Sequence, residues 1–126
     1  MGLLVDPIEM PLTIYQGATF RKSFAWKSGP TAATATPVDL TGCAARAHVR
    51  EKIDSATALL EMTTENGRIA LGGAAGTVAL EVSDETTAAL PRLKRAARWD
   101  LEIVWPDGEV TRLFQGPVTI GPEVTR

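Results

Sequence analysis

Hydrophobic and polar residues alternate most regularly between Arg98 and Ile120, in the stretch RWDLEIVWPDGEVTRLFQGPVTI. Apolar residues occupy every second position from Trp99 to Trp105, and mostly polar residues lie between them. This two-residue period is typical of a β-strand with one face in a core. Pro106-Asp107-Gly108 is a turn sequence, because proline presets φ, aspartate can bond its own backbone and glycine tolerates positive φ. The pattern therefore predicts a β-hairpin whose second strand begins at Val110.

Shorter stretches of the same alternation predict further strands near residues 12–14, 20–26, 38–40, 43–49, 60–62, 69–71, 78–82 and 118–120. The first two are expected to pair as a hairpin across Gln16-Gly17. Asn66-Gly67 is the strongest short-range hairpin signal in the chain. We therefore expect the strands at 60–62, 69–71 and 78–82 to form a meander.

One short helix is predicted over residues 84–90, since Ser83 or Asp84 can accept hydrogen bonds from its first amides and Pro91 ends it. About eight short strands with a single helix favour an all-β fold, an antiparallel β-sandwich of the immunoglobulin-like or jelly-roll-like kind. The sequence pattern does not distinguish this sandwich from a closed β-barrel, which is the alternative fold. We divide the chain into an N-terminal arm (1–10), a single β domain (11–121) and a C-terminal tail (122–126).

Composition limits the classes of function. The chain has 126 residues, 44% of them hydrophobic and 22% charged, which is typical of a globular domain. A formal net charge of −2 provides no general attraction for nucleic acid or for anionic membranes. The sequence contains neither a recognisable signal peptide nor an apolar run long enough to span a membrane, so synthesis in the cytoplasm is expected.

Residues with catalytic or ligand-binding potential lack the context that such chemistry needs. Cys43 lies in an apolar alternation and is interpreted as a buried, inert thiol. His48 lies on the polar side of its strand, where a surface or subunit contact is the favoured interpretation over catalysis. Asp100 and Glu102 are interpreted as a solvated strand face rather than a glycosidase pair. We expect no enzymatic activity, metal, cofactor or small-molecule substrate.

Two further groups of residues allow more than one interpretation. The basic cluster of Arg92, Lys94, Arg95 and Arg98 is the main charge run, and a solvated loop or a protein contact is favoured over nucleic acid. The three tryptophans lie on the apolar side of their predicted strands, so core packing is favoured over a sugar-stacking surface.

The order of several segments resembles the N-terminal domain of siphophage upper baseplate proteins of the BppU type, within a broader family of tailed-phage and prophage tail proteins. The resemblance is carried by LTIYQGATFRKSFAW, VDLTG, ARAHVR, NGRIAL, GTVALEVSDETTAAL and WDLEIVWPDGEVTRLFQGPVTIGPEVTR. Each segment alone is common in β-hairpins, and their succession is what is distinctive. In that family a long helical or fibrous portion follows this domain. Because the sequence stops at Arg126, we expect a free-standing adaptor whose receptor-binding partner is another polypeptide.

The resemblance implies a non-enzymatic structural protein of a phage tail or baseplate, which attaches a fibre or receptor-binding protein. It also implies other tail proteins as partners, a homo-oligomer and a final location in the virion tail. The candidate protein-contact residues are Leu3, Leu4, Ile8, Arg92, Lys94, Arg95, Val124 and Arg126. The alternative is a carbohydrate-binding β-sandwich module that uses exposed aromatic residues.

Overall fold

The structure is a computed structural model, and it describes residues 5–126. Its strands are β1 (Ile8–Glu9), β2 (Leu12–Tyr15), β3 (Phe20–Ala25), β4 (Lys27–Ser28), β5 (Thr36–Pro37), β6 (Ala44–Arg50), β7 (Leu60–Thr63), β8 (Ile69–Leu71), β9 (Thr77–Val82), β10 (Ala97–Val104) and β11 (Val110–Gly121). A 3₁₀ turn spans Gly73–Ala75, and the helix α1 spans Asp84–Ala88. Within this described part of the chain, no helix has the length and apolar character to cross a membrane.

The larger sheet has the strand order β1-β11-β10-β6-β7, and β2 pairs with β11 as well. The predicted hairpin forms its centre, since β10 and β11 pair antiparallel from Val104↔Val110 to Ala97↔Val118. Burial along β10 alternates strictly, with every second residue from Ala97 to Ile103 buried. The expected two-residue period is therefore confirmed over the full length of this strand.

Strand β11 is long enough to pair with two N-terminal strands in succession. Ile8 lies opposite Phe114 and Leu12 lies opposite Val118, both in parallel orientation. The segment between β1 and β2 passes close to the backbone of Gly116. A Cβ atom at position 116 would lie 2.8 Å from the Met10 carbonyl oxygen. The last predicted strand, near 118–120, is thus the second half of β11.

The smaller sheet has the order β3-β9-β8, and β4 and β5 form a separate two-residue ladder. The expected hairpin between β2 and β3 is wrong, because β2 pairs with β11 in one sheet and β3 pairs with β9 in the other. The chain changes layer at Gln16-Gly17, where Gly17 has a φ of +79°. This change of layer lets the apolar sides of both strands face one core.

The expected meander forms only in its second half: β8 pairs antiparallel with β9 as predicted, but the predicted pairing of β7 with β8 is wrong, because β7 pairs with β6 in the larger sheet. Asn66 organises the turn between β7 and β8: its Oδ1 accepts hydrogen bonds from the amides of Thr63 and Arg68, both at 3.0 Å. A two-residue type I′ hairpin needs positive φ at both central residues. Only glycines have positive φ among the described residues, so Asn66-Gly67 forms a crossover between layers instead.

The helix begins as predicted, with the Ser83 side chain accepting a hydrogen bond from the Thr86 amide. It ends at Ala88, two residues earlier than expected. Thr87 is buried on the inner side of α1, where its hydroxyl donates to the Ala18 carbonyl oxygen at 2.8 Å. This bond ties the helix to the turn that connects the two sheets.

One hydrophobic core lies between the layers, so the all-β sandwich predicted from the sequence is confirmed. Aromatic pairs join the sheets, with ring centroids 4.4 Å apart for Phe24 and Phe114 and 6.0 Å apart for Trp26 and Trp105. The core also contains aliphatic residues from both sheets, among them Ile14, Met62, Val78, Leu80, Leu101 and Ile103. The other side of the larger sheet faces away from this core, and the outward side chains of β6 and β10 are half-buried or exposed.

Candidate interaction surface

The outer face of the larger sheet carries an ordered set of charged residues. Strands β6, β10 and β11 each present alternate side chains on this face, and the register places them in rows across the sheet. The contributing residues are Arg46, His48, Arg50, Arg98, Asp100, Glu102, Arg112 and Gln115.

An irregularity in β11 determines which of its residues reach this face. Leu101 lies opposite Phe114, but Glu102 lies opposite Arg112, so β11 has one residue more than β10 at this point. Leu113 and Phe114 are consequently both buried, and Arg112 is left on the outer face. Such a bulge re-aims side chains locally. Its signal in the sequence is the adjacent apolar pair Leu113-Phe114, which breaks the alternation.

Two ion pairs join side chains of neighbouring strands on this face, one within the first row and one between the first and second rows. Arg46 forms an ion pair with Glu102, with 2.8 Å between Nε and Oε1. Arg112 lies near Asp100, with 3.7 Å between Nε and Oδ2. Both pairs are largely solvent-exposed, so each contributes at most about 1 kcal/mol to stability. Asp100 and Glu102 thus serve as ion-pair partners on a solvated face, as the alternation predicted.

The second row contains His48, whose two ring nitrogens contact groups on either side of it. Arg50 Nη2 lies 3.1 Å from His48 Nδ1, and a guanidinium can only donate. On the other side of the ring, Nε2 lies 3.3 Å from Glu61 Oε2. The ring thus lies between a carboxylate and a guanidinium.

The third row places two arginines directly opposite each other. Arg98 and Arg50 are cross-strand partners in the β10–β6 ladder. Arg50 is held in place by His48 and by a 3.0 Å hydrogen bond from its Nη1 to the Ser55 carbonyl oxygen. Within residues 5–126, Arg98 has no ion pair or side-chain hydrogen bond. Like charges directly opposite each other in a ladder are destabilising, so this pair is costly in the free protein.

These arginines lie in a shallow concavity of about 320 Å³ on the outer face of the sheet. Ile53 forms part of its wall and is 80% exposed, so an apolar side chain stands beside the two guanidinium groups. The neighbouring concavity is lined by Lys52, Lys94 and Arg95, among others. The cations of the predicted basic cluster therefore continue from the sheet face onto the adjoining loops.

Another group of predicted contact residues meets at the C-terminal tail. Arg92 Nη2 and Arg126 Nη1 both donate to the Glu123 carbonyl oxygen, at 3.0 and 2.9 Å. Gln16 holds this arrangement, because its Nε2 donates to the Leu90 carbonyl oxygen at 2.6 Å and its Oε1 accepts from the Glu123 amide at 3.0 Å. Gln16 could not be singled out from the sequence, because its partners are distant along the chain.

The remaining predicted contact residues are dispersed. Ile8 is exposed on β1, and Val124 is exposed in the tail. Leu3 and Leu4 lie outside the described residues. The prediction that all these residues act in protein contacts stays a prediction.

The tryptophans do not form a surface for stacking sugars. Trp26, Trp99 and Trp105 are only 8%, 3% and 6% exposed, which confirms the core-packing interpretation. The indole N–H of Trp99 donates to the Met10 carbonyl oxygen at 2.8 Å, and that of Trp105 donates to Thr111 Oγ1 at 2.9 Å. Tyr15, at 63% exposure, is the large aromatic side chain most available to solvent in the described chain.

The other residues with chemical potential are not assembled into a site in the described part of the chain. Cys43 is half-buried, not fully buried as expected, and this burial raises the pKa of its thiol, which lowers the fraction of reactive thiolate at neutral pH. Residues 5–126 contain no group of three or more His, Cys, Asp or Glu side chains arranged to hold a metal ion. The glycine-rich segment after β8 forms the 3₁₀ turn that leads into β9.

Comparison of the chain with models of known protein families and with curated proteins finds no significant match.

Proposed function

We propose that the protein is a non-enzymatic structural component of a phage or prophage tail or baseplate, where it acts as an adaptor for a fibre or receptor-binding protein. The observation that carries this proposal is the order of the segments that resemble the upper baseplate family. These segments occupy most of the sandwich in succession, from β2 and β3, through β6 and the β8–β9–α1 region, to β10 and β11.

The surface properties of the domain support a role in protein contacts. Ile8 and Val124 are exposed apolar residues that a partner could cover. Arg92 and Arg126 are exposed and bonded to the same carbonyl oxygen, which gives the tail a defined shape for recognition. In this proposal, the adaptor works by surface complementarity in an oligomer located in the virion tail.

The proposal is tested by measuring mass in solution and binding to tail proteins encoded beside this one. Light scattering should detect an oligomer or a stable complex with such a tail protein. Ile8→Glu should weaken that complex, because it places a charge on an exposed apolar contact. Val110→Glu is the matched control, because Val110 is 46% exposed and Ile8 is 47% exposed, and both residues lie in strands. A protein that stays monomeric and binds no neighbouring tail protein contradicts the proposal.

A further inference from the structure

The two opposed arginines belong to a larger basic surface, which we call the basic strip and define as residues 50–54 and 92–98. It contains Arg50, Lys52, Arg92, Lys94, Arg95 and Arg98, with Glu51 and Asp54 as its acidic residues. The formal charge of the strip is therefore +4. The whole chain has 13 basic and 15 acidic residues, so the remaining seven basic and thirteen acidic residues sum to −6. Charge is thus strongly segregated in a chain whose net charge is close to zero.

The strip is physically continuous across two elements of the fold. The register of β6 and β10 brings Arg50 and Arg98 together at one end of the ladder. From there the chain continues into the loop after β6 and the segment before β10, where Lys52 and Lys94 line one concavity. The same geometry places the exposed Ile53 beside the arginine pair.

The arginine pair has the features of an anion-binding surface, because the two carboxylates that line the same concavity, Asp100 and Glu102, are already paired with Arg112 and Arg46. The two half-buried arginines are cross-strand neighbours of like charge, and of the two only Arg50 is hydrogen-bonded to neighbouring groups. Arg98 is free of ion pairs in the described structure, so its donors are available. A carboxylate placed between two such groups accepts charge-assisted, often bidentate, hydrogen bonds and removes the repulsion.

From this arrangement we infer that the basic strip binds an acidic, extended segment of a partner protein, with one carboxylate seated between Arg50 and Arg98. Further carboxylates of that segment meet Lys52, Lys94 and Arg95, and an apolar residue packs on Ile53. This inference deepens the proposed adaptor function, because it gives the chemistry of the partner at one surface.

A protein segment fits the strip better than nucleic acid does. Binding of single-stranded nucleic acid commonly uses aromatic side chains on which bases stack, and the one tryptophan beside the concavity, Trp99, is 3% exposed. A long polyanion would also meet the net negative charge of the remaining surface. The apolar side chain of Ile53 has no counterpart in a phosphate backbone.

The inference is tested by fluorescence anisotropy with a labelled peptide of alternating Glu and Ser, and with the same peptide carrying Gln in place of Glu. The Glu peptide should bind, and its affinity should fall as salt is added. Arg98→Gln should weaken binding about tenfold, which is typical of losing a charge-assisted hydrogen bond. Arg98→Lys should restore part of the affinity, because it returns the charge without the fork geometry.

Lys22→Gln is the matched control, since it removes an exposed cation from β3, far from the strip in sequence and in the other sheet. It should leave peptide binding unchanged. A thermal melt of each variant shows that it is folded, and Arg98→Gln should melt no lower than the parent protein. The peptide assay contains no tail protein, so its result is separate from the test of the adaptor function.

Several outcomes would overturn the inference. Equal binding of the Glu and Gln peptides would show that binding does not depend on the carboxylates of the peptide. If Arg98→Gln and Lys22→Gln changed the peptide affinity equally, the peptide would not be bound by the arginine pair. Tighter binding of single-stranded DNA than of the Glu peptide would assign the strip to nucleic acid. Dimerisation that Arg98→Glu abolishes, without peptide binding, would assign it to a second copy of this chain.

Discussion

The bond between Trp99 and Met10 provides a direct test of how the N-terminal strands are attached to the sandwich. Trp99→Phe keeps an aromatic ring at 3% exposure next to Phe114 but removes the N–H that donates to the Met10 carbonyl oxygen at 2.8 Å. Losing this hydrogen bond costs about 1–2 kcal/mol, and the space left by the smaller ring costs about 1 kcal/mol more. We therefore expect the free energy of unfolding to fall by about 2–3 kcal/mol.

The informative measurement is amide hydrogen exchange at Met10, whose N–H donates to the Gln115 carbonyl oxygen at 2.8 Å. Trp99→Phe should accelerate exchange at this amide, because the segment between β1 and β2 loses one of its anchors to the sheet. Trp105→Phe is the matched control: it also shrinks a buried indole and loses a bond, to Thr111 Oγ1, but leaves the Met10 contact intact. Equal exchange at Met10 in the two variants would refute this reasoning.

Three further predictions follow from single side chains. Arg98→Thr should raise the free energy of unfolding by a few tenths to about 1 kcal/mol at low salt, since it removes a like-charge pair in the ladder, and a lower melting temperature would contradict this. Ser83→Ala should cost about 1 kcal/mol in denaturant unfolding by removing the helix cap, whereas Ser23→Ala, on exposed β3, should cost less. Thr41, through its hydroxyl and its amide, lowers the pKa of Asp39, so Thr41→Val should raise that pKa toward its usual value in a carboxyl NMR titration. Because the folded-state pKa is lowered, the contribution of Asp39 to stability is present above the pKa of the unfolded state and is lost as pH falls through the folded pKa. An unchanged titration would show that the hydroxyl is not responsible.

The sequence allowed the local elements to be predicted, because their signals lie within a few residues. The alternation from Trp99 to Trp105 and the following turn sequence specify the β10–β11 hairpin. Ser83 likewise specifies the start of α1 through a bond to the amide three residues later. In such cases the partner group lies within the same short segment, so residue type and spacing are sufficient.

The exchange of strands between layers could not be predicted, since it depends on distant partners. Gln16-Gly17 and Asn66-Gly67 are ordinary hairpin turns by residue type, yet both carry the chain from one sheet to the other. Pairing with β11, more than 100 residues away, decides the position of β2. Local turn preferences are too weak to compete with burying the apolar sides of two strands in one core.

The arginine pair of the basic strip was missed for the same reason. The sequence showed Arg98 in a basic cluster and Arg50 on the polar side of another strand, but not that the two are opposite each other. That relation follows from the β6–β10 register, which is set by burial of Ala45, Ala47 and Val49 on the inner face. A charge site of this kind becomes visible only when the register is known.

Binding of an acidic partner segment at the basic strip can be tested residue by residue. The most direct measurement is an NMR titration of backbone amides with the alternating Glu and Ser peptide. We predict shift changes concentrated in residues 50–54 and 92–98, with Arg98→Gln reducing them. Changes located on β3, or none at peptide concentrations that saturate other acidic-peptide binders, would contradict the claim.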